Sequence, residues 1–123
     1  MLQFDHVNIR TANLEESRRF YERVLGMTSG KRPDFPFPGA WMYLGKQAYV
    51  HLVAVEADPA APKEAEGLRL EHFAFRGEDL EDYRRRLKEE GVPCQEVRVP
   101  GTNLLQLNFF DPDGNHIHVD FTV

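Results

Sequence analysis

The sequence is poor in cysteine, in long apolar runs and in positive charge, and each shortage excludes a class of protein. Its 123 residues contain one cysteine, Cys94, so no intrachain disulfide can form. No apolar run approaches the roughly 20 residues that a membrane-spanning helix requires, and no charged-then-apolar leader opens the chain. With 15 Lys and Arg against 20 Asp and Glu, the net charge of −5 argues against nucleic acid or an anionic membrane as the main partner. We therefore expect a reduced, cytoplasmic setting.

What the chain contains is enough apolar material for one core. It is 41% hydrophobic and 28% charged, which is typical of a globular domain. By surface-to-volume scaling, a chain of this length buries roughly two-thirds of the surface that its unfolded form exposes. We predict a single domain over residues 1–123.

The two halves of the chain repeat one pattern. Alternating, strand-like segments at 4–9 and 70–75 carry His6 and His72, which stand 66 residues apart. Each segment precedes a helix-like stretch and then further strands, about three in each half. The resulting division is a first module over about 1–57, a linker over about 58–67 and a second module over about 68–123.

Both predicted helices have start and stop signals at the repeat spacing. Asn13 is a capping residue with Glu16 three positions later, the pattern of a capping box, and Asp79 stands 66 residues after Asn13. Gly26 and Gly91 stand where a helix would end in a left-handed residue. The caps and glycines support a true internal repeat.

Four histidines occupy equivalent faces of the predicted strands. Because side chains alternate along a strand, His6, His51, His72 and His118 lie opposite the apolar residues that pack on the helices. If the two sheets curve together, these imidazoles converge in one cleft, and imidazole is a common ligand of zinc, copper, nickel and iron. The repeat favours a shared metal site over four unrelated solvated histidines. His116 departs from the repeat and is expected at the surface or beside the site.

Several motifs resemble those of one known superfamily. They are FDHVNI at 4–9, RRFYERVLGM at 18–27, VHLV at 50–53, LEHFAF at 70–75 and DPDGNHIHV at 111–119. With these, the sequence resembles the vicinal oxygen chelate superfamily of glyoxalases, bleomycin resistance proteins and ring-cleaving dioxygenases. The resemblance implies an α+β fold of two βαβββ modules, whose curved mixed β-sheets enclose a metal-binding cup. It also implies a homodimer, with each cup formed by modules of one chain or of two subunits.

The resemblance maps the metal ligands onto His6, His51, His72 and His118. Most metal-binding members carry glutamate at the position of His118 and often at that of His51. Imidazole in place of carboxylate favours zinc, nickel, cobalt or iron over magnesium, which prefers oxygen ligands.

The implied function is that of a divalent-metal-dependent enzyme. Its substrate would be a small metabolite that chelates the metal through adjacent oxygens, with glyoxalase-like lyase or isomerase chemistry. Because no candidate ligand is a carboxylate, we hypothesise that His51 or His118 leaves the metal to accept a proton, or that Asp120 assists. The alternatives are an extradiol-type ring-cleaving dioxygenase and a non-catalytic small-molecule or drug-binding protein of the bleomycin-resistance type.

The segment 33–41 joins prolines to aromatic side chains. It is interpreted either as the rim of an apolar substrate pocket or as a surface that packs against the sheet or a partner subunit. The other candidate substrate contacts are Arg10, Tyr43, Tyr49, Gln106 and Asn108.

Overall fold

The predicted order of strand, helix and three strands occurs twice in the computed structural model, which describes residues 3–56, 70 and 72–123. The chain divides into two units, Met1–Pro59 and Ala60–Val123. The linker predicted over 58–67 lies outside the described residues.

The first unit consists of β1 (Val7–Thr11), α1 (Leu14–Arg23), β2 (Thr28–Gly30), β3 (Gly39–Leu44) and β4 (Gln47–Ala54). The second consists of β5 (Phe73–Arg76), α2 (Leu80–Glu89), β6 (Gln95–Arg98), β7 (Leu104–Phe110) and β8 (His116–Thr122).

Each unit contains one four-stranded mixed sheet, which confirms the predicted α+β class. The strand orders are β1-β4-β3-β2 and β5-β8-β7-β6. The first strand of each unit runs parallel to the last, and the other neighbours are antiparallel. This register places Asn8 beside His51 and Ala74 beside His118. The first and last strands of each unit, which carry or adjoin the histidines, are therefore neighbours.

The first strand of each unit begins later than the sequence predicts. β1 starts at Val7 and β5 at Phe73, so His6 and His72 each lie just before a strand. In the first unit the Asp5 carbonyl accepts a hydrogen bond from the side-chain amide of Gln47 at 3.0 Å. Gln47, the first residue of β4, thus contacts the segment before β1, and residues 4–6 belong to no strand.

Both helices are capped where predicted. Asn13 Oδ1 accepts from the Glu16 N–H at 3.1 Å, but the Asn13 N–H donates to Thr11 Oγ1 at 3.2 Å, where a capping box would use the Glu16 carboxylate. The reciprocal half of the predicted capping box is therefore supplied by Thr11. Asp79 caps α2 through its contact with the Asp82 N–H at 3.2 Å. The positive φ angles of 70° and 67° at Gly26 and Gly91 confirm both helix stops.

The core of each unit lies between its helix and its sheet. Alternate residues of β4 and β8 are fully buried there, as the strand period predicts. In the first unit α1 contacts β4 and buries Phe20 and Tyr21, and in the second the Tyr83 ring of α2 packs on Phe121, 5.6 Å between centroids. His51 and His118 point to the opposite face of each sheet. Over the residues described, neither helix is long and apolar enough to cross a membrane.

Candidate functional site

Two histidines of the first unit form part of a stack of three rings. The His6 and His51 imidazoles lie 3.8 Å apart between centroids and within 8° of parallel. The Trp41 indole stacks on His51 at 3.9 Å and 12°. Because β4 lies between β1 and β3, the His6 and Trp41 rings cover opposite faces of the His51 imidazole. His51 is consequently 8% exposed, although it lies on the open face of its sheet.

The surroundings of His51 favour its neutral form. Burial lowers the pKa of His51, and the neighbouring His6 lowers it further. A hydrogen bond with the Ala48 backbone and the charge of Asp5 oppose this shift in part. His6 Nδ1 contacts Asp5 Oδ2 at 2.5 Å, and this hydrogen bond lowers the pKa of Asp5. At neutral pH the centre of the stack is an uncharged imidazole.

The histidines of the second unit adopt a different arrangement. His118, 7% exposed, lies 2.6 Å from Asp120 Oδ1 through its Nδ1 atom. An ionised carboxylate only accepts hydrogen bonds, so Nδ1 carries the proton and Nε2 presents a lone pair. The His72 ring lies 4.6 Å from that of His118 and is inclined to it by 42°. Asp120, which the sequence suggested only as an assistant, fixes the tautomer of His118.

A polar strip flanks His118 on the same face. Gln106 and Asn108 of β7 lie opposite Asp120 and His118 in the antiparallel register. His116 Nε2 donates to Asn108 Oδ1 at 2.9 Å, and Asn108 Nδ2 contacts Gln106 Oε1 at 3.5 Å. Two predicted substrate contacts therefore share the face of His118, and the half-buried His116 holds one of them in place.

The remaining predicted substrate contacts are less closely tied to the histidines. Tyr43 donates its hydroxyl proton to the Lys31 carbonyl, and its ring fills the space that a side chain at position 30 would need. The Tyr49 ring stacks on Phe4 with 6.1 Å between centroids. Arg10 is exposed on β1, on the side of His51 by strand alternation.

A cavity of about 120 Å³ opens beside His51 within the first unit. Its wall includes Phe35, Phe37 and Trp41 from the segment predicted as a pocket rim. Arg32, which sequence reasoning missed, also lines it, and its guanidinium lies 5.1 Å from the ring centroids of both Phe35 and Phe37. The sequence did contain a signal for Arg32, because this cation directly precedes the stretch of prolines and aromatic residues.

A comparison with known families decides the affiliation. The sequence model of the Glyoxalase/Bleomycin resistance protein/Dioxygenase superfamily matches residues 3–119. The chain belongs to this superfamily. The resemblance inferred from the motifs is thereby confirmed, and so is the glyoxalase-like fold.

Three members of the superfamily illustrate the relationship. “Glyoxylase I 4” of Arabidopsis thaliana is 31% identical, over 97% of this chain and 70% of that protein. A Bacillus subtilis (strain 168) protein named “Probable trivalent organoarsenical cleaving enzyme” is 27% identical, over 98% of this chain and 81% of that one. The crystal structure of a glyoxylase/bleomycin resistance protein/dioxygenase domain from Frankia sp. EAN1pec superposes with a TM-score of 0.81 at 19% identity, covering 100% and 99% of the two chains.

The superfamily implies a divalent metal, and the two histidine pairs differ in how well they fit one. His72 and His118 are inclined to one another, and His118 is oriented by a carboxylate, as metal-bound histidines commonly are. The stacked His6 and His51 rings present their lone pairs in parallel planes, which do not converge on one ion. Within each unit, no three His, Cys, Asp or Glu side chains of the described residues form a cluster able to hold a metal. Each unit, taken by itself, thus brings two of the four predicted ligands together as a pair.

Proposed function

We propose that this protein is a divalent-metal-dependent enzyme with glyoxalase-like lyase or isomerase chemistry. Its substrate is a small molecule that presents two neighbouring oxygens. The observation that carries the proposal is the buried His118, whose Nδ1 is held by Asp120 at 2.6 Å with His72 beside it. This arrangement leaves Nε2 of His118 as a preoriented donor, and the imidazole chemistry suits zinc, nickel, cobalt or iron.

Each side chain has a distinct task in this proposal. When bound, the metal would act as a Lewis acid on oxygens that gain negative charge. His72 and His118 would hold it, and Asp120 keeps the His118 ring oriented. Asn108 and Gln106 lie on the same face, where their amide groups can orient polar substrate atoms.

A proton acceptor is also needed for glyoxalase-type isomerisation, and His51 meets the requirements better than His118. The lowered pKa of His51 keeps it unprotonated at neutral pH, and its side chain lines the cavity. His118 has its Nδ1 committed to Asp120 and its Nε2 assigned to the metal. We therefore place the proton-accepting role on His51.

Zinc binding to histidine variants tests the proposal. Chelator-treated protein titrated with Zn²⁺ in a calorimeter should lose most of its affinity in His72→Ala and His118→Ala. Asp120→Asn should weaken binding by about 10- to 100-fold, the usual effect of losing such an orienting partner. His116→Ala is the matched control: its ring lies 5.4 Å from that of His72, but its Nε2 is hydrogen-bonded to Asn108, so the variant should keep the zinc affinity within a few-fold.

Turnover completes the test. The zinc- or nickel-loaded protein should convert the adduct of methylglyoxal and glutathione, or another 2-oxoaldehyde adduct, and His51→Gln should abolish turnover while leaving the fold intact. Wild-type zinc affinity in both His72→Ala and His118→Ala would refute the assignment. Failure of the wild-type protein to bind any transition metal would leave the drug-binding alternative.

A second candidate function is favoured by the cavity beside His51. Its aromatic walls and small volume suit a ring-containing substrate, as a ring-cleaving dioxygenase would require. Oxygen consumption by the iron-loaded protein in the presence of a catechol would identify this activity, and its absence with turnover of the 2-oxoaldehyde adduct would exclude it.

A further inference from the structure

The cavity of the first unit is lined by aromatic side chains and one arginine. Three aromatic rings, those of Phe35, Phe37 and Trp41, line it together with the Arg32 guanidinium. Its volume of about 120 Å³ is close to that of the engineered cavity, about 150 Å³, that admits benzene. The cavity therefore accommodates about one six-membered ring, and it is smaller than the sites of drug-sized ligands.

Arg32 is held in place by the aromatic rings. Its guanidinium lies 5.1 Å from the centroids of Phe35 and Phe37, and these two rings are themselves stacked 5.1 Å apart at 12°. Arg32 Nη2 donates to the Phe37 carbonyl at 2.8 Å. The cation is thus fixed by two cation–π contacts and one hydrogen bond before any ligand arrives.

The charge of Arg32 is not balanced within the cavity. None of the lining residues is Asp or Glu, and over the described ranges 3–56, 70 and 72–123 no carboxylate forms a salt bridge to Arg32. One hydrogen bond uses one of the five guanidinium N–H groups, so donors remain for an anion. The other polar groups of the wall are Asn8 and His51. Such a wall attracts a small anion and repels a cation.

We propose that this cavity binds a small aromatic carboxylate, with the ring against Trp41 and Phe35 and the carboxylate on Arg32. This inference goes beyond the proposed function. The binding itself does not depend on a metal. Charge and aromatic surface are both needed, which separates this ligand class from simple anions and from neutral rings.

Tryptophan fluorescence reports directly on this cavity, since Trp41 is the only tryptophan of the chain. In chelator-treated protein, benzoate should change the emission of Trp41 saturably with a dissociation constant of about 1 mM, as expected for a ligand of this size. Benzamide lacks the charge and should bind about tenfold more weakly or worse, by the strength of a charge-assisted hydrogen bond. Cyclohexanecarboxylate lacks the aromatic face and should bind about fivefold more weakly.

Two arginine variants isolate the role of Arg32. Arg32→Gln should weaken benzoate binding by about tenfold or more, and Arg32→Lys should restore part of the affinity. Arg19→Gln makes the same chemical change at an exposed position of α1 outside the cavity and should bind benzoate as the wild type does. Circular dichroism of each variant checks that the fold is retained.

The outcomes separate this inference from the metal assignment. No saturable response to benzoate, equal binding of benzamide, or unchanged binding in a folded Arg32→Gln variant would each overturn it. Because the titration uses metal-free protein, failure of zinc binding leaves the benzoate result intact, and failure of benzoate binding leaves the zinc result intact.

Discussion

His51 and His118 occupy equivalent places in the two units, yet their contact partners differ. His51 lies between two rings, and burial lowers its pKa. His118 has a carboxylate on Nδ1, which orients the ring and leaves its other nitrogen available to a ligand. Sequence position identified both as candidates for metal binding and catalysis. In the proposed function, these different neighbours are the reason for assigning proton acceptance to His51 and metal binding to His118.

The lowered pKa of His51 predicts how the stability of the metal-free protein depends on pH. Above the ordinary value of 6.5, His51 is neutral in both folded and unfolded chains and contributes no slope. As the pH falls below this value, His51 takes up a proton in the unfolded chain before it does so in the folded protein. The free energy of unfolding therefore decreases as the pH falls, until the pH reaches the pKa of His51 in the folded protein. The contribution of this one residue is at most about 1.4 kcal/mol per pH unit.

Urea unfolding in the presence of chelator, between about pH 7 and about pH 5, measures this slope. His51→Gln keeps a planar polar side chain but does not titrate, so its stability should fall less steeply over that range. Equal slopes in the two proteins would show that His51 is not responsible.

At the scale of elements, much of the fold is predictable from sequence, because strand alternation and capping residues are local signals. Asn13, Asp79, Gly26 and Gly91 mark both helices correctly. Strand pairing is not local, so the alternation at 4–9 and 70–75 does not reveal that β1 starts only at Val7 and β5 only at Phe73. The ring stack on His51 and the placement of Arg32 over two phenyl rings depend on side-chain rotamers and a loop path, which no periodicity encodes.

The two N-caps differ in backbone conformation, which predicts an order of stability among cap variants. Asn13 has φ −136°, whereas Asp79 has φ 61°, in the left-handed region. Asn13→Ala loses only its cap, at a cost of about 1 kcal/mol. Asp79→Ala loses the cap and adds left-handed strain of about 1 kcal/mol, whereas Asp79→Gly relieves that strain.

Chemical denaturation should therefore find Asp79→Ala the least stable, Asn13→Ala intermediate and Asp79→Gly closest to the wild type. Asp79→Gly as unstable as Asp79→Ala would show that the left-handed conformation carries no cost here.

At the scale of the whole molecule, the repeat assigns two histidines to each unit, and their arrangements differ. The His72 and His118 pair is preoriented by Asp120, whereas the His6 and His51 pair is stacked. For all four to serve one ion, the exposed His6 ring would have to leave the stack. A four-histidine site, which the proposed function does not use, would thus carry a conformational requirement, and a thermodynamic measurement distinguishes it from binding by His72 and His118 alone.

Zinc should raise the stability of the wild type, by about 4 kcal/mol when its concentration is a thousandfold above the dissociation constant. If His6 and His72 serve the same ion, each single alanine variant loses most of this gain, and the double variant loses no more than either one. In that case, opening of the stack would also change the emission of Trp41 when zinc binds. Thermal unfolding with and without zinc measures the gain, and His116→Ala serves as the control. If the His6→Ala variant keeps the full gain, and Trp41 emission does not change when zinc binds to the wild type, the ion is assigned to His72 and His118 without His6. His51 then remains free to act on a substrate in the cavity of the first unit.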